Sequence, residues 1–209
     1  FPAASDLEFA SWKVSDFTAD FADEEGDGSF SIDEIELRDM GDLKTGWANI
    51  GGMNFSFIDG EDLTPVTMSL GSLSVTGADV SFLQAIEENM GDEDAMGQAV
   101  FSKLYENPIN PPYDGFSMKD FAVEVAGAAF AMPEMTGTIE RNSDGEPVKF
   151  VTKPFTMSLS ADPEGGEAGA SLAGALSMVG YEKVELKGEG VSNYDPKTDI
   201  ISFSADDNF

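Results

Sequence analysis

The chain has 209 residues with 40 Asp or Glu against 11 Lys or Arg, so its formal net charge is −29, and it contains neither His nor Cys. This charge excludes ordinary nucleic-acid binding, which needs Lys and Arg against phosphate, and it argues against docking on anionic lipid surfaces. Without His or Cys, the chain has no disulfides, no thiol catalysis, no His-dependent triad and no zinc site of the usual kind.

A β-strand is the first element that the sequence predicts, and a matching strand recurs later in the chain. Each strand alternates strictly between apolar and polar residues, which is typical of a half-buried strand. The alternating residues are Phe17, Ala19 and Phe21 in the first strand and Phe121, Val123 and Val125 in the second. In both strands the apolar phase shifts beside an Asp, at Asp16 and Asp120, which predicts a β-bulge at each position.

The segment that follows the first strand, residues 23–34, resembles the twelve-residue calcium loop of the EF-hand family. Oxygen-bearing side chains occupy loop positions 1, 3, 5, 9 and 12, with Gly28 at position 6 and Phe30 at the apolar position 8. The resemblance implies calcium bound by the side chains of Asp23, Glu25, Asp27, Ser31 and Glu34 and by the carbonyl oxygen of Ser29. The alternative, which we favour because the preceding residues alternate like a strand, is an acidic hairpin turn between strands over 17–21 and 29–37. Such a turn could still bind calcium weakly.

Short motifs that recur in the same order predict an internal repeat. An acidic Asp-Gly turn precedes a strand in two places, a pattern typical of a hairpin. The turns are Asp59-Gly60-Glu61 and Asp144-Gly145-Glu146, and the strands that follow contain Thr67-Met68-Ser69-Leu70 and Thr156-Met157-Ser158-Leu159. The predicted units span 1–108, 109–181 and 182–209, and the third is interpreted as the start of a further unit in a longer repeat protein.

Short helical inserts are predicted over 81–105 and 167–180. Ser81 and Gln84 form a capping-box pattern at the start of the first insert, and Gly180 is typical of a C-terminal stop after the second. The predicted fold class is therefore mainly β (α+β), with an antiparallel, curved sheet built from an internal repeat and short helical inserts. No run of about 20 apolar residues is present, so no transmembrane segment is predicted.

Phe and Met residues are abundant at strand spacing, and two interpretations are open for them. The residues concerned are Met53, Phe55, Phe57, Met68, Phe130, Met132, Met135, Phe155 and Met157. Side chains of this kind most often fill a core. Alternatively, they line a pliable apolar groove, because Met and Phe adapt to lipid-like ligands.

The last part of the chain carries Gly180-Tyr181, Val184 and Leu186, and then Tyr194-Asp195-Pro196 before another hairpin. Together with the short alternating strands and the acidic Asp-Gly turns, this pattern resembles the AsmA-like repeating β-groove proteins of the bacterial periplasm. The resemblance implies an elongated, curved antiparallel sheet that shields acyl chains. The helical inserts and the heavy acidity depart from the family pattern.

These patterns favour an exported, non-catalytic binding or structural module of the bacterial cell envelope, in the periplasm or at the cell surface. Its expected partners are a lipid-like ligand in an apolar groove or a neighbouring envelope protein. Adjacent carboxylates arise by chance among 40 acidic residues, so neither an enzyme activity nor a cofactor is predicted. One alternative is a calcium-dependent acidic surface or matrix protein, and another is an acidic mimic that binds a basic partner. The chain opens at Phe1, which we interpret as a mature or trimmed product.

Added salt should raise the thermal stability of this protein. Because 29 uncompensated negative charges repel one another in the compact state, screening them stabilises folding. We expect the melting temperature, followed by circular dichroism, to rise as sodium chloride shortens the Debye length from about 30 Å at 0.01 M to about 3 Å at 1 M. A melting temperature that is flat or falls over this range would contradict the expectation.

Overall fold

The computed structural model describes residues 6–22, 26–59, 64–81, 84, 87–89, 98–99, 102 and 109–204. The strands within these residues, in chain order, are β1 (Phe9–Ala22), β2 (Gly26–Gly41), β3 (Lys44–Asp59), β4 (Pro65–Asp79), β5 (Gly115–Val125), β6 (Ala128–Arg141), β7 (Pro147–Ala161), β8 (Lys183–Asp195) and β9 (Ile200–Ser204). A helix, α1 (Glu167–Met178), lies between β7 and β8.

All nine strands belong to one antiparallel sheet, and each strand pairs with its neighbours in the sequence. The sheet is not closed, so β1 and β9 lie at its two edges. Asp42 and Leu43 form the two-residue turn between β2 and β3, both with positive φ (50° and 57°), as a tight hairpin with a right-handed twist requires. We call the end of the sheet with this turn the lower end and the opposite end the upper end. The predicted mainly β, antiparallel fold class is confirmed.

The β-bulges predicted at Asp16 and Asp120 are wrong, although the backbone conformation at both positions is unusual. Asp16 and Asp120 have left-handed backbone (φ 60° and 52°), and so does Gly52 of β3 (φ 64°). The pairing on either side of Asp16 keeps one register, Ser15 with Glu34 and Phe17 with Ile32, so no extra residue is inserted. The apolar phase therefore shifts at a left-handed residue rather than at a bulge.

These left-handed residues lie at one level of the sheet, which we call the break row. Following the register from β1 to β6, its members are Asp16, Asp33, Gly52, Gly71, Asp120 and Pro133. Gly71 accommodates its neighbour closely, because a Cβ atom there would lie 2.9 Å from Oδ2 of Asp120. The break row divides the sheet into a lower half and an upper half.

The repeated motifs do not fall on equivalent strands. Residues 67–70 lie on β4 and residues 156–159 lie on β7, and these two strands run in opposite directions through the sheet. An internal repeat is thus not shown. The sheet also continues through both proposed unit boundaries, because β4 pairs with β5 and β7 pairs with β8.

Two of the predicted local signals are confirmed by their geometry. In the Asp144-Gly145 turn, the Oδ1 of Asn142 accepts hydrogen bonds from the backbone N–H groups of Asp144 and Glu146. Gly180 (φ 81°) ends α1, and the N–H of Tyr181 donates to the carbonyl of Leu176, which is a Schellman cap. The Gly60-Glu61 part of the other predicted turn, and most of the insert predicted over 81–105, lie outside the described residues.

Arg141 holds the start of β5 to the end of β6 at the lower end of the sheet. Its Nε donates to Asp114 Oδ1 at 2.6 Å, and one terminal nitrogen donates to the carbonyls of Pro111 and Tyr113. A planar guanidinium can satisfy several acceptors at once, which a Lys ammonium at this position would do less well. The Arg141 side chain therefore fixes the residues that lead into β5.

Little of the described chain is buried. The buried apolar residues among those described are Met40, Leu70, Ala78, Val80, Ala126, Met132 and Leu176. The accessible surface is 13673 Å², whereas a compact monomer of 22.3 kDa exposes roughly 9,400 Å². Because α1 lies mainly against β6 and β7, much of the sheet has no second layer among the described residues.

A substitution at Gly127 tests the close contact between the β5–β6 turn and the segment that leads into α1. It has φ 83°, and a Cβ atom there would lie 2.5 Å from the carbonyl oxygen of Asp162 and 2.9 Å from Cα of Gly165. We expect Gly127→Ala to lower the free energy of unfolding by about 2 kcal/mol or more, because it adds both left-handed strain and overlap with backbone.

Gly174→Ala is the matched control. Gly174 lies in α1 with nothing within 4 Å of an added Cβ, so Ala there should raise the free energy of unfolding by about 0.5–1 kcal/mol. Denaturant titration of the two variants measures both effects, and equal stabilities would contradict the packing described for the turn.

Candidate functional site

Large apolar side chains occupy one face of the upper half of the sheet. Directly opposed residues in an antiparallel pair share a face, and so do residues two apart on one strand. By that rule the register collects one set of residues on this face, which we call the apolar band. Its members are Phe17, Ala19, Phe21, Phe30, Ile32, Met53, Phe55, Phe57, Val66, Met68, Leu70, Phe121, Val123, Val125, Phe130, Met132, Met157, Leu159, Val184 and Leu186.

Ring contacts bear out this arrangement. Phe17 and Phe30 meet edge to face with centroids 6.1 Å apart, and Phe121 and Phe130 do the same at 6.0 Å. Phe21 stacks at 6.2 Å on Phe55, two strands away. Such contacts across neighbouring strands contribute about 0.5–1.5 kcal/mol each beyond the area that they bury. The band is thus a continuous apolar surface and not a set of isolated residues.

The band is wide and is most exposed towards its edges, whereas Leu70 and Met132 near its centre are buried. From β1 to β8 it crosses seven strand spacings, or roughly 34 Å, and from Phe17 to Phe21 it extends about 14 Å along the strands. Phe17 is 48% exposed, Phe21 41% and Leu186 57%. An exposed apolar surface of this size marks a binding or interaction surface more often than a solvated one.

The reverse face of the same strands has a different chemistry. Small residues alternate with the band along β2 to β7, and they include Ser29, Ser31, Asn54, Ser56, Thr67, Ser69, Ala122, Ala129, Ala131 and Ser158. A shallow pocket of ≈ 410 Å³ lies among most of these residues. The two faces therefore differ in polarity and in side-chain size.

The six residues predicted to bind calcium are not brought together among the described residues. Asp23 and Glu25 lie outside them, and Asp27, Ser29, Ser31 and Glu34 follow one another along β2. In an extended strand Asp27 and Glu34 are roughly 24 Å apart, while calcium holds its oxygen ligands at about 2.3–2.6 Å. The described part of the segment is a paired strand, as in the hairpin alternative, and calcium binding stays a prediction.

Glu34 and Glu36 have cationic partners on the lower half of β2. Lys13 Nζ donates to Glu34 Oε2 at 2.5 Å, and this hydrogen bond raises the pKa of Lys13. Arg38 donates to Glu36 at 2.6 Å, which lowers the pKa of that carboxyl, and its guanidinium lies 4.4 Å from the ring of Trp47. Both pairs lie at the surface of the sheet, although the Glu36 side chain is only 12% exposed, and surface pairs of this kind contribute little stability.

Two kinds of functional feature were sought in the described residues, a metal-binding cluster and a membrane-spanning helix. Across the part of the chain that the structure describes, no group of three or more His, Cys, Asp or Glu is placed to hold a metal ion. The described helical segments also include none with the length and apolar character needed to cross a membrane. The feature that the described residues do provide is the apolar band.

Sequence reasoning found much of the band but not all of it. Of the Phe and Met residues singled out above, Met53, Phe55, Phe57, Met68, Phe130, Met132 and Met157 lie in it. Met135 and Phe155 lie on the other side of the break row. Phe30 and Ile32 were missed as band residues because they fall within the calcium-loop pattern, although their spacing of two is the same signal.

Comparison with known proteins adds no relative: no family model, no curated protein and no solved structure matches this chain.

Replacing two of the predicted calcium ligands should leave calcium binding nearly unchanged. We expect Asp23→Ala with Glu34→Ala to alter calcium affinity by no more than about twofold, because Glu34 pairs with Lys13 and lies far along the strand from Asp27. Calorimetry measures the affinity, and Glu134→Ala with Asp144→Ala is a control with the same change of charge. Stoichiometric micromolar binding that is lost only in the first variant would establish a closed calcium loop instead.

Proposed function

We propose that this protein is a non-catalytic, exported binding module of the bacterial cell envelope whose apolar band receives the apolar part of a lipid-like ligand. The observation that carries the proposal is the continuous band of Phe, Met and aliphatic side chains on one face of a single sheet, exposed on the edge strand β1 and on β7 and β8. A face of this kind is normally covered by another layer in a globular domain. Here a ligand would provide the cover.

Burying the methylene groups of an acyl chain on the band would release enough free energy for reversible binding. Twelve methylene groups transferred fully from water contribute about 10 kcal/mol at roughly 0.8 kcal/mol each. Association costs about 4–15 kcal/mol, and an open face covers only one side of a bound chain. We therefore expect affinities in the micromolar range or weaker, as suits a protein that takes up and releases a ligand.

The composition of the band favours a flexible ligand over a rigid one. Met53, Met68, Met132 and Met157 lie among the aromatic residues. Met has three rotatable bonds and a polarizable sulfur, so it adjusts to irregular apolar surfaces. Such a surface suits acyl chains of varying length.

We also infer that the sheet is a curved one built from a repeat, with a repeating unit of two strands. Support comes from β1, β3 and β5, which all run towards the upper end and have a left-handed residue in the break row. The next residue in each is a large apolar member of the band: Phe17, Met53 or Phe121. This interpretation agrees with the groove that the AsmA-like resemblance implies, and a neighbouring envelope protein could extend such a sheet at the edge strand β1.

A charge placed in the band should weaken ligand binding strongly, whereas the same charge on the reverse face should not. Phe55 and Ser56 are successive, half-buried residues of β3 whose side chains point to opposite faces. We expect Phe55→Asp to weaken the binding of the uncharged fluorophore N-phenyl-1-naphthylamine at least about tenfold, because a carboxylate cannot be desolvated there without a partner. Ser56→Asp should bind as the parent protein does.

Fluorescence titration measures both variants, with circular dichroism to confirm the fold. If Phe55→Asp does not fold, Phe21→Asp at the exposed edge of the band replaces it, with Asp20→Ala as its control on the same strand. Equal binding by the band variant and its control would refute the proposed site.

A further inference from the structure

The edge strand β1 lacks the features by which proteins usually block such an edge. It is 14 residues long and pairs only with β2 among the described residues. Natural edges are blunted by short strands, by Pro, by bulges or by outward Lys residues. β1 contains no Pro and keeps one register with β2, and its one Lys, Lys13, is paired with Glu34. The opposite edge strand, β9, is only five residues long, so β1 is the better suited of the two for pairing with a further strand.

The upper half of β1 has an apolar side and a polar side. Phe17, Ala19 and Phe21 belong to the apolar band, and both aromatic rings are exposed. Thr18 and Asp20 alternate with them and lie on the reverse face. Opposed residues of two paired strands share a face. A strand added to this edge would therefore place apolar side chains beside the two Phe rings and polar side chains beside Asp20.

The polar side of this edge carries negative charge. Asp20 is exposed, and so is Asp27 of β2, which lies on the same face because it is opposed to Ala22. Lys13 lies on the other side of the break row, roughly 23 Å along the strand from Asp20. No Lys or Arg occurs in the three strands nearest this edge above the break row, which are residues 17–22, 26–32 and 53–59. The two carboxylates thus have no cation beside them on these strands.

These charges decide between two kinds of partner strand. A second copy of this chain would bring the same carboxylates and a further net charge of −29, so repulsion opposes self-pairing. A basic strand has the opposite effect, because complementary charge speeds the encounter and favours the correct partner. Opposite charges facing each other across two strands also stabilise the pairing.

From this edge we infer that the upper half of β1 takes up an extended segment of another protein as a further strand, and that this segment alternates apolar residues with Lys or Arg. Main-chain hydrogen bonds to β1 hold the segment, its apolar residues continue the band, and its basic residues face Asp20 and Asp27. The inference rests on the part of the proposed function that extends the sheet at β1, and not on a ligand in the apolar band.

Capped eight-residue peptides test this pairing on the full chain. One peptide alternates Val and Lys, and a second has four Val followed by four Lys. We expect the alternating peptide to bind at least about tenfold more tightly, because only alternation places every Lys on one face of an extended strand. Fluorescence anisotropy of the labelled peptides measures affinity, and hydrogen exchange should show added protection within β1 on binding.

A third peptide, which alternates Val and Glu, tests the charge preference. It should bind at least about tenfold more weakly than the Val–Lys peptide at 0.01 M salt. The difference should shrink at 1 M salt, where the Debye length is about 3 Å.

A charge reversal at the edge, with a matched control elsewhere, locates the site. Asp20→Lys should weaken the alternating Val–Lys peptide by about threefold or more. Asp144→Lys makes the same change of charge at an exposed turn of the lower end and should bind the peptide as the parent protein does. Circular dichroism confirms the fold, and Asp20→Asn replaces the first variant if it does not fold.

Each result bears on a separate statement. Equal binding of the two Val–Lys peptides shows charge condensation on an acidic chain and overturns the inference, and so does unchanged affinity in Asp20→Lys. If sedimentation shows a dimer whose β1 is already protected from exchange without peptide, the edge belongs to a second copy and the inference also fails. The uncharged fluorophore should bind both variants as it binds the parent protein, so the apolar band stands or falls with Phe55→Asp alone.

Discussion

The antiparallel backbone ladder is the constraint on which the rest of this structure depends. From β1 to β6 each pair keeps one register over its whole length, including both sides of the break row. Because opposed residues share a face, that register alone decides which side chains become neighbours. A slip of one residue in any strand would transfer its apolar set to the opposite face. The band forms only because the register places the apolar residues of neighbouring strands on the same face of the sheet.

A sheet of this kind is stabilised differently from a globular core. With few buried apolar residues among those described, its side chains pack laterally, as Phe21 does on Phe55, and not between two layers. The ends are fixed locally by the Schellman cap at Gly180 and by the contacts of Arg141. The apolar side chains that pack laterally between strands are therefore also those that are partly exposed on the face of the sheet.

Acidity and exposed apolar surface balance each other in this protein. The edge strand β1 presents Trp12, Phe17 and Phe21 at 45%, 48% and 41% exposure, and a long apolar edge is a template for association with other chains. A net charge of −29 opposes that association through mutual repulsion.

The sequence alone determined the strand character, the Asp144-Gly145 turn and the helix that ends at Gly180, because alternation, turn chemistry and caps act over a few residues. It also located the phase shifts at Asp16 and Asp120, but it could not tell a bulge from a left-handed residue, since that depends on how many residues the partner strand contributes. Only the tertiary structure decided that the repeated motifs fall on strands of opposite direction. It likewise placed Phe30 and Ile32 in a band and not in a loop, because cross-strand register is set by long-range pairing that no local pattern encodes.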